Sequence, residues 1–490
     1  MRNRRLPYER IHAAFFLAVT GIFLLLVSPG LLTEGMFLDG LWYSSIADNL
    51  SSDLTRLWHL SYTDTISTRF YSHPPLAIWL ESLWFAVLGD AFWVEKLCSF
   101  SCVVLAASVL VLIWKQLGFE MKYSFLPLFF LVLVPDISWA ATNNMLENTM
   151  MIFVLLTVLF MLKSHEGKRK WLFVLLSSLT LFLSFMTKGF TGLYTLAFPF
   201  CMWLVRREET FMKMFCDTLW VLVLFMLWFT LMVTLSDSAQ TYFRNYFSLV
   251  LSGVEVRTVS SRFTIMYKFV SQLIPSVCVL ILFALCGIKF RKNGFRKEKN
   301  LFRKEKNGIR IRKPLDLSAV FMLLALCGVV PVMLSLKQRG FYVLTVYPFC
   351  AIAFSVLVLP TVKKMFEIWN DRTKNIIFAF SLFLFVSGIA ANVFNFGRVG
   401  RDETKIEDMK VILRKVGRGD VVSVPVSMRR EYTLYGYYYR YGKVSLTHLE
   451  MGHEWLLLED GNDFEAMRLD TLYVPEDLPT KRYRLYRLKR

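Results

Sequence analysis

The sequence lacks the patterns of a disulfide-stabilised, zinc-binding or nucleotide-binding soluble protein. No Gly-rich loop of the kind that cradles nucleotide phosphates is visible, and no His, Asp or Glu pair has metal-ligand spacing. The cysteines form no CxxC pair, and all lie in or beside apolar runs, where we expect small core residues: Cys98, Cys102, Cys201, Cys216, Cys278, Cys286, Cys327 and Cys350. No cofactor is therefore assigned from these patterns, and a divalent cation stays an open possibility.

Charged residues are scarce, and acids are scarcer than bases. Only 19% of the 490 residues are charged, the net charge is +19, and 55% of the residues are hydrophobic. Apolar runs of about 20 residues recur, which predicts a polytopic helical membrane protein. The basic excess lies in loops between these runs, so the positive-inside bias accounts for it and we expect no nucleic-acid partner.

The distribution of basic residues predicts the topology. Arginines near the N-terminus favour a cytoplasmic start, with the first span retained as an anchor. If the short apolar segment 74–89 does not cross the membrane, every strongly basic loop falls on the cytoplasmic side. We therefore expect segment 74–89 to be interfacial or re-entrant. The fold class is then all-α and polytopic, with about eleven spans: 11–32, 92–114, 122–135, 148–163, 171–187, 189–205, 213–235, 264–288, 317–336, 341–360 and 376–395.

Two further segments differ from the spans. Residues 295–307 hold the tandem repeat FRKEKN, either a polybasic segment near anionic lipid or an expanded topology anchor. The tail has nearly balanced charges and strand-like stretches in GDVVSVPVS, YTLYGYYYRYGKVSL, TLYVPEDL and KRYRLYRL. We expect a transmembrane domain over 1–395 and a small outer α/β domain over 396–490.

The loop after the first span, from Asp39 to Leu76, carries unusual chemistry for a membrane boundary. It places an acid, tyrosines, a histidine and a Pro-Pro pair there. Polar groups at this depth are costly unless they are used. Apolar residues recur every four positions from Leu38, which predicts an interfacial helix with one face in lipid and Asp39 in a cavity. The alternative is a solvated loop in which Asp39 caps the helix.

Four motifs in order resemble one known family. They are Asp39 followed by x-H-P-P-L-x-x-W-L, then P-x(11)-E-N-T-M over 135–150, F-M-T-K-G-F-T-G-L over 185–193, and S-L-K-Q-R-G-F-Y-V-L-T-V-Y-P over 335–348. Together they resemble the GT-C superfamily of polyprenyl-phosphate-dependent glycosyltransferases, which includes protein O-mannosyltransferases and the lipid A aminoarabinose transferase. The resemblance covers about residues 10 to 395.

The resemblance implies a glycosyltransferase in a bacterial inner membrane. It would move a monosaccharide from an undecaprenyl-phosphate donor to a lipid, glycan or protein acceptor at the outer face, with membrane lipids around it. This chain departs from the family at Asp39-Gly40, where Asp-Glu is common, and at His73, where lysine is common. A titratable imidazole replaces a permanent charge there.

The candidate site residues follow from these motifs. Asp39 is the expected general base and Glu147 the second catalytic acid, although a helix N-terminus also favours an acid there. Basic residues are expected mainly on the cytoplasmic side, so cations on the outer side indicate a phosphate partner. That phosphate is either the donor's or a lipid headgroup's. The expected substrate-binding residues are Tyr43, Tyr71, His73, Lys188, Arg262, Lys337, Arg339 and Tyr342.

Two other functions fit an outer-face membrane protein of this size. A lipid-linked-sugar flippase would show internal symmetry and broken spans in matching positions, and none is visible. An oligosaccharide polymerase or ligase would carry a long outer loop late in the chain. In this chain the largest outer feature is the tail instead.

Overall fold

A computed structural model describes residues 5–165, 169–207, 210–253, 256–292, 314–461, 469 and 471–489. The tandem FRKEKN repeat and the arginines before residue 5 lie outside these ranges, so the structure does not bear on them. Most of the described chain is helical, and the strands are confined to the tail.

The helices before the tail number fifteen in the described ranges, and several carry apolar residues on every face, as membrane helices do. Their bounds are α1 Arg5–Val27, α2 Leu38–Ser51, α3 Leu76–Leu88, α4 Val94–Gln116, α5 Phe125–Val132, α6 Pro135–Ala141, α7 Leu146–Ser164, α8 Lys170–Lys188, α9 Phe198–Arg206, α10 Phe211–Leu235, α11 Asp237–Ser252, α12 Thr264–Lys292, α13 Pro314–Val329, α14 Tyr347–Ile368 and α15 Asp371–Phe394. Short 3₁₀ segments join several of them, notably Gly189–Ala197 and Gly340–Val346.

The membrane-crossing segments agree with the expected architecture. Within the described residues, nine helical stretches are long and apolar enough to cross a membrane, and a bent pair can supply a tenth crossing. The bent pair joins Met121–Val132 to Pro135–Ala141 at 85°, because Pro135 ends one helix and begins the next. The single straight span expected over 122–135 is thus shorter, and α6 turns away from it.

The stretch Lys170–Arg206 contains a reversal. Lys170 pairs with Asp217 at 2.5 Å and Trp203 contacts Phe211 at 5.3 Å between ring centroids, so both of its ends lie beside the first turns of α10. A straight helix of that length would hold its ends about 55 Å apart. The chain turns at Gly189, which has a φ of +75°. The turn predicted at 187–189 is therefore confirmed.

The first and last spans pack through glycine. A Cβ at Gly21 would come within 2.6 Å of the Phe385 nitrogen, and one at Gly388 within 2.7 Å of Leu24. Small residues of this kind let helix backbones approach closely in lipid, where van der Waals contact replaces the hydrophobic drive between helices. Asn392 and Asn395 add hydrogen bonds to the carbonyls of Leu24 and Ser28. These contacts join α1 and α15 side by side.

The helix α2 does not lie in lipid. Its residues Leu41, Ile46 and Leu50 are buried, because the helix lies between the transmembrane bundle and the tail. The expectation of an apolar face in lipid was wrong, since four-residue periodicity cannot distinguish lipid from protein as the apolar partner. The helix α3 has thirteen residues and falls short of a span, as expected for segment 74–89.

The tail forms a small α/β unit around a five-stranded sheet. Its helices are α16 Glu403–Ile412 and α17 Tyr432–Gly442, and its strands are β1 Val421–Ser423, β2 Ser445–Thr447, β3 Trp455–Glu459, β4 Tyr473–Pro475 and β5 Tyr483–Leu488. The strand order is β2-β1-β3-β5-β4. Strand β1 runs parallel to both neighbours, whereas β3 and β5 are antiparallel.

One strand prediction in the tail was wrong. The tyrosine-rich run 432–442 is helical, although its aromatic residues favour strands. Its buried Leu434, Tyr437 and Tyr438 recur at helical spacing, and Tyr437 donates a hydrogen bond to the main chain of Met36 at 3.2 Å. Tertiary packing against the loop before α2 therefore overrides local preference.

Buried charges fix this unit to the bundle. Arg440 of α17 pairs with Glu95 of α4 at 2.7 Å, with both side chains buried, and donates to the carbonyls of Asp90 and Ala91. Lys443 pairs with Asp48 of α2 at 2.5 Å. The tail thus holds α2, and with it Asp39, against the bundle.

Candidate active site

Chain segments far apart in sequence meet at the end of the bundle that carries the tail. The first turn of α2 brings Asp39, the first turn of α7 brings Glu147, and the end of α8 brings Lys188. The extended segment before the 3₁₀ turn Gly340–Val346 brings Lys337 and Arg339. Each residue sits at an element's end, where side chains can converge on one point above the spans.

The centre of the cluster is a buried ion pair between Lys188 and Glu147. The ammonium contacts Glu147 Oε1, with side-chain exposures of 4% and 0%. It also lies 5.2 Å from the ring centroids of both Phe341 and Tyr342, a cation–π distance. Glu147 Oε2 is buried without a hydrogen-bond partner. Taking two such charges out of water is costly, so the pair identifies this cluster as the candidate site.

Asp39 lies within range of the cluster's positive charges. Burial raises the pKa of its carboxyl above the usual value, and Lys188, Arg339 and Lys337 oppose that rise. The helix α2 begins after Phe37, which serves as the N-cap. Asp39 is therefore not the cap, and the alternative assigned from sequence is wrong. A half-buried carboxylate with a raised pKa, facing cations, is suited to accept a proton.

A two-asparagine turn clamps α2 to α7. The Asn143 side-chain oxygen accepts a hydrogen bond from the Phe37 nitrogen at 2.7 Å, and Asn144 donates to Glu81 of α3 at 2.6 Å. Asn144 adopts a φ of +50°, which asparagine tolerates better than most residues. A Cβ at Gly40 would overlap the main-chain oxygen of Asn143. The glycine therefore allows this close approach of the two main chains.

His73 lies beside the cluster as a neutral ring. Desolvation lowers its pKa well below the usual value, and Lys188 and Lys337 lower it further. Its ring contacts that of Tyr43 at 5.9 Å between centroids. Burial raises the pKa of Tyr43 well above its usual value, with Asp39 and Glu147 adding to the effect. Both side chains are thus uncharged hydrogen-bonding groups near neutral pH.

The helix α11 supports the loop that carries His73. The Tyr242 hydroxyl donates to the His73 carbonyl at 2.7 Å, and Tyr71 packs on Tyr242 at 5.2 Å between ring centroids. Tyr71 thus joins the wall of the site through a tyrosine that the motifs did not single out. The Tyr246 hydroxyl lies against Gly189, the residue after Lys188, where a side chain would overlap it.

Lys337 and Arg339 flank a buried glutamine. Both cations are exposed, whereas Gln338 is buried, as expected when neighbours in extended backbone point to opposite sides. The Gln338 side chain accepts from the Ile265 nitrogen at 2.9 Å and donates to the Arg262 carbonyl at 3.0 Å. Gln338 therefore anchors the segment that presents the cations. The sequence signal that could have identified Gln338 as a supporting residue is its position between Lys337 and Arg339.

Arg262 is placed differently from the other candidate cations. Its carbonyl binds Gln338, while its side chain is exposed, and no described contact brings the guanidinium to the cluster. Tyr342, in contrast, lies beside Lys188 as expected. Within the described ranges, no group of three or more His, Cys, Asp or Glu side chains gathers as a metal site would require. No step below is assigned to a metal.

The comparisons with known proteins agree with this geometry. Residues 72–234 match the family described as dolichyl-phosphate-mannose-protein mannosyltransferase, a segment that includes His73, Glu147 and Lys188. No curated protein matches the chain. The structure is similar to ArnT from Cupriavidus metallidurans bound to undecaprenyl phosphate, with a TM-score of 0.64 and 13% identity over 96% of this chain and 97% of that one. The apo ArnT structure gives the same score at 12% identity over the same shares.

A lower similarity links the chain to an oligosaccharyltransferase from Archaeoglobus fulgidus in complex with Zn and sulfate. The TM-score is 0.49 at 10% identity, over 91% of this chain and 67% of that one.

The chain is a multi-pass membrane protein with the GT-C fold and a small C-terminal strand-containing unit. Residues 72–234 resemble the protein mannosyltransferase family and the whole fold is similar to that of ArnT, so the comparisons agree with the resemblance drawn from the motifs.

Proposed function

We propose that this protein transfers a monosaccharide from a polyprenyl-phosphate donor, undecaprenyl phosphate in a bacterial inner membrane, to a lipid, glycan or protein acceptor. The observation that carries the proposal is the Lys188–Glu147 pair, buried beside Asp39 at the end of the bundle. Three cations and one poised carboxylate at a membrane boundary suit a substrate with a phosphate above a lipid tail. The similarity to an ArnT structure that contains undecaprenyl phosphate supports the same donor class.

The proposed reaction follows from the charges. Asp39 accepts the proton of the acceptor hydroxyl as its oxygen bonds to the anomeric carbon. The bond from that carbon to the phosphate oxygen breaks, and polyprenyl phosphate leaves with the electron pair. Lys188, Lys337 and Arg339 offset the charge that develops on the departing phosphate. A substitution of this kind would invert the anomeric centre.

The remaining residues take supporting roles in this proposal. Glu147 fixes the Lys188 ammonium, because its carboxylate is already engaged. His73 and Tyr43, both uncharged, hydrogen-bond substrate hydroxyls, and Tyr71 and Tyr342 line the cavity. Arg262 is left for an acceptor or a lipid headgroup near the rim. Residues 1–395 form the catalytic domain, and residues 396–490 hold α2 in place from the outer face.

Reconstitution with a panel of polyprenyl-phosphate sugars separates this function from its rivals. Donor turnover is followed by mass spectrometry, as release of polyprenyl phosphate from donor placed on the site side of the vesicle. A transferase releases it and attaches one sugar to an acceptor. A flippase moves the intact donor between leaflets, and a polymerase or ligase produces or transfers chains of several sugars. Intact translocation without cleavage would overturn the proposal.

A further inference from the structure

A cavity lies between α10 and α11, outside the candidate active site. It has a volume of about 400 Å³ and is lined by Phe229, Val233, Gln240, Thr241, Phe243, Arg244 and Phe247. Its walls combine phenylalanine rings with a single charged residue, Arg244, and no acid. On α10 the cavity lies in the last two turns, next to the exposed Leu231 and Leu235. The cavity is therefore a corner where a membrane-facing span meets an amphipathic helix.

Arg244 is directed away from the candidate active site. On a helix with 100° per residue, it lies nearly opposite Tyr242 and Tyr246, which face His73 and Gly189. The helix body, about 10 Å across, therefore separates a phosphate on Arg244 from Lys188. In the part of the chain that the structure describes, Arg244 makes no ion pair, and its side chain is exposed. Its charge is free for an external anion.

We propose that this cavity binds an anionic glycerophospholipid of the surrounding bilayer, with its phosphate on Arg244. Arginine can grip a phosphate through two parallel hydrogen bonds. Phe229, Phe247 and Val233 would contact the acyl chains along α10. The reacting donor has one head phosphate, which the candidate site requires, so a phosphate behind α11 belongs to a different lipid. The assignment to a different lipid therefore rests on the proposed function, whereas lipid binding at Arg244 can be measured without sugar transfer.

Occupancy of the cavity would reach the candidate site through α11. The face opposite Arg244 supplies the hydrogen bond from Tyr242 to the His73 carbonyl and the contact of Tyr246 with Gly189. A lipid that orders this helix therefore also orders the loop that carries His73.

Native mass spectrometry of the full chain from nanodiscs tests the site. The nanodiscs contain equal amounts of phosphatidylglycerol and phosphatidylcholine. The wild type is expected to retain phosphatidylglycerol, and Arg244→Gln to lose it on the order of tenfold, as for one charge-assisted contact. Arg257→Gln is the matched control, since it removes an exposed arginine on the same side of the bundle that does not line the cavity. Thr241→Trp should displace the lipid by filling the cavity with the charge unchanged.

Three results would overturn the proposal. They are equal loss of lipid in Arg244→Gln and Arg257→Gln, no preference of the wild type for phosphatidylglycerol over phosphatidylcholine, and retention of lipid by Thr241→Trp. Size-exclusion profiles and circular dichroism check that each variant is folded. If Arg244→Gln does not fold, the Thr241→Trp result decides. A parallel sample with polyprenyl phosphate in place of phosphatidylglycerol distinguishes the donor's own lipid, and preferential retention of that lipid at this site would also contradict the assignment.

Discussion

The ammonium of Lys188 and the carboxylate of Glu147 meet across two neighbouring spans, each at the end of its helix and both buried. The chain turns at Gly189, directly after Lys188, and the Tyr246 hydroxyl leaves no space there for a side chain. A buried lysine that pairs with a carboxylate and lies beside two aromatic rings is the feature on which the proposed phosphate site depends.

Separate and joint removal of the two charges distinguishes function from stability. Lys188→Met and Glu147→Gln should each stop transfer, and Lys188→Met should also destabilise the fold by about 3–5 kcal/mol because it leaves a buried carboxylate unpaired. The double variant should regain most of that stability and none of the activity. Thermal melting in detergent and a transfer assay measure the two effects. Activity in the double variant would show that the pair is only structural.

A methyl group at Gly40 should misplace the Asp39 carboxylate, the proposed general base. In Gly40→Ala the new Cβ meets the main-chain oxygen of Asn143, so the first turn of α2 must move. A displacement of about 1 Å at a reacting group can cost on the order of 100-fold in rate. The rate of sugar transfer should fall by at least tenfold, with the donor dissociation constant little changed. Gly397→Ala, at a positive-φ glycine with open space around it, strains the backbone without a steric overlap and is therefore the control for a general effect of glycine replacement. Full activity in Gly40→Ala would mean that α2 is not clamped as described.

The pH dependence of transfer should reflect Asp39 and not His73. Asp39 acts when deprotonated, and its pKa is raised above the usual 3.8, so activity should rise with pH through a limb above that value. The pKa of His73 is lowered well below 6.5, so the ring is neutral above and below 6.5 and no falling limb should occur there. His73→Lys should lower activity by adding a like charge near Lys188 and Lys337. A falling limb near 6.5 that His73→Lys removes would mean that the imidazolium binds phosphate.

Arg339 should contribute more than its charge. Arg339→Lys keeps the charge and loses the two-pronged grip on phosphate, so transfer should fall even though the charge is conserved. Arg339→Ala and Lys337→Ala should each lower transfer by about tenfold or more, the scale of a lost charge-assisted contact. Melting temperatures without donor should barely change, because both side chains are exposed. Near-normal rates in both alanine variants would leave Lys188 as the proposed phosphate contact and remove Lys337 and Arg339 from it.

The sequence was sufficient for the architecture because apolar length and basic loops are strong signals in membranes. The turn at Gly189, the non-spanning segment 74–89 and the strands β1, β4 and β5 of the tail could all be predicted in this way. The strand β3 was missed, since Trp455–Glu459 is buried and carries no alternation. The tyrosine run of α17 was assigned to a strand because the helix is stabilised by contacts with Met36 and Leu41, which are far away in the sequence.

The charged residues of the candidate site could be predicted from the sequence, whereas the uncharged residues that hold them in place could not. Asp39, Lys188 and Arg339 stand out because they are charged where lipid is expected. Asn143, Asn144 and Gln338 carry no charge, and their roles depend on hydrogen bonds to segments far away in sequence. The same limit applies to α2, whose apolar stripe predicted a membrane partner where the protein core provides one.

The most direct test measures donor binding and sugar transfer separately in Asp39→Asn and Arg339→Ala. Both are followed in proteoliposomes with the polyprenyl-phosphate sugar that the wild type uses. Asp39→Asn keeps the shape and removes the proton acceptor, so the donor dissociation constant should stay within about threefold while the transfer rate falls about 10²–10⁴-fold. Arg339→Ala should weaken donor binding as well. Transfer by Asp39→Asn within about threefold of the wild-type rate would contradict the assignment of Asp39 as the general base, and with it the account of this site.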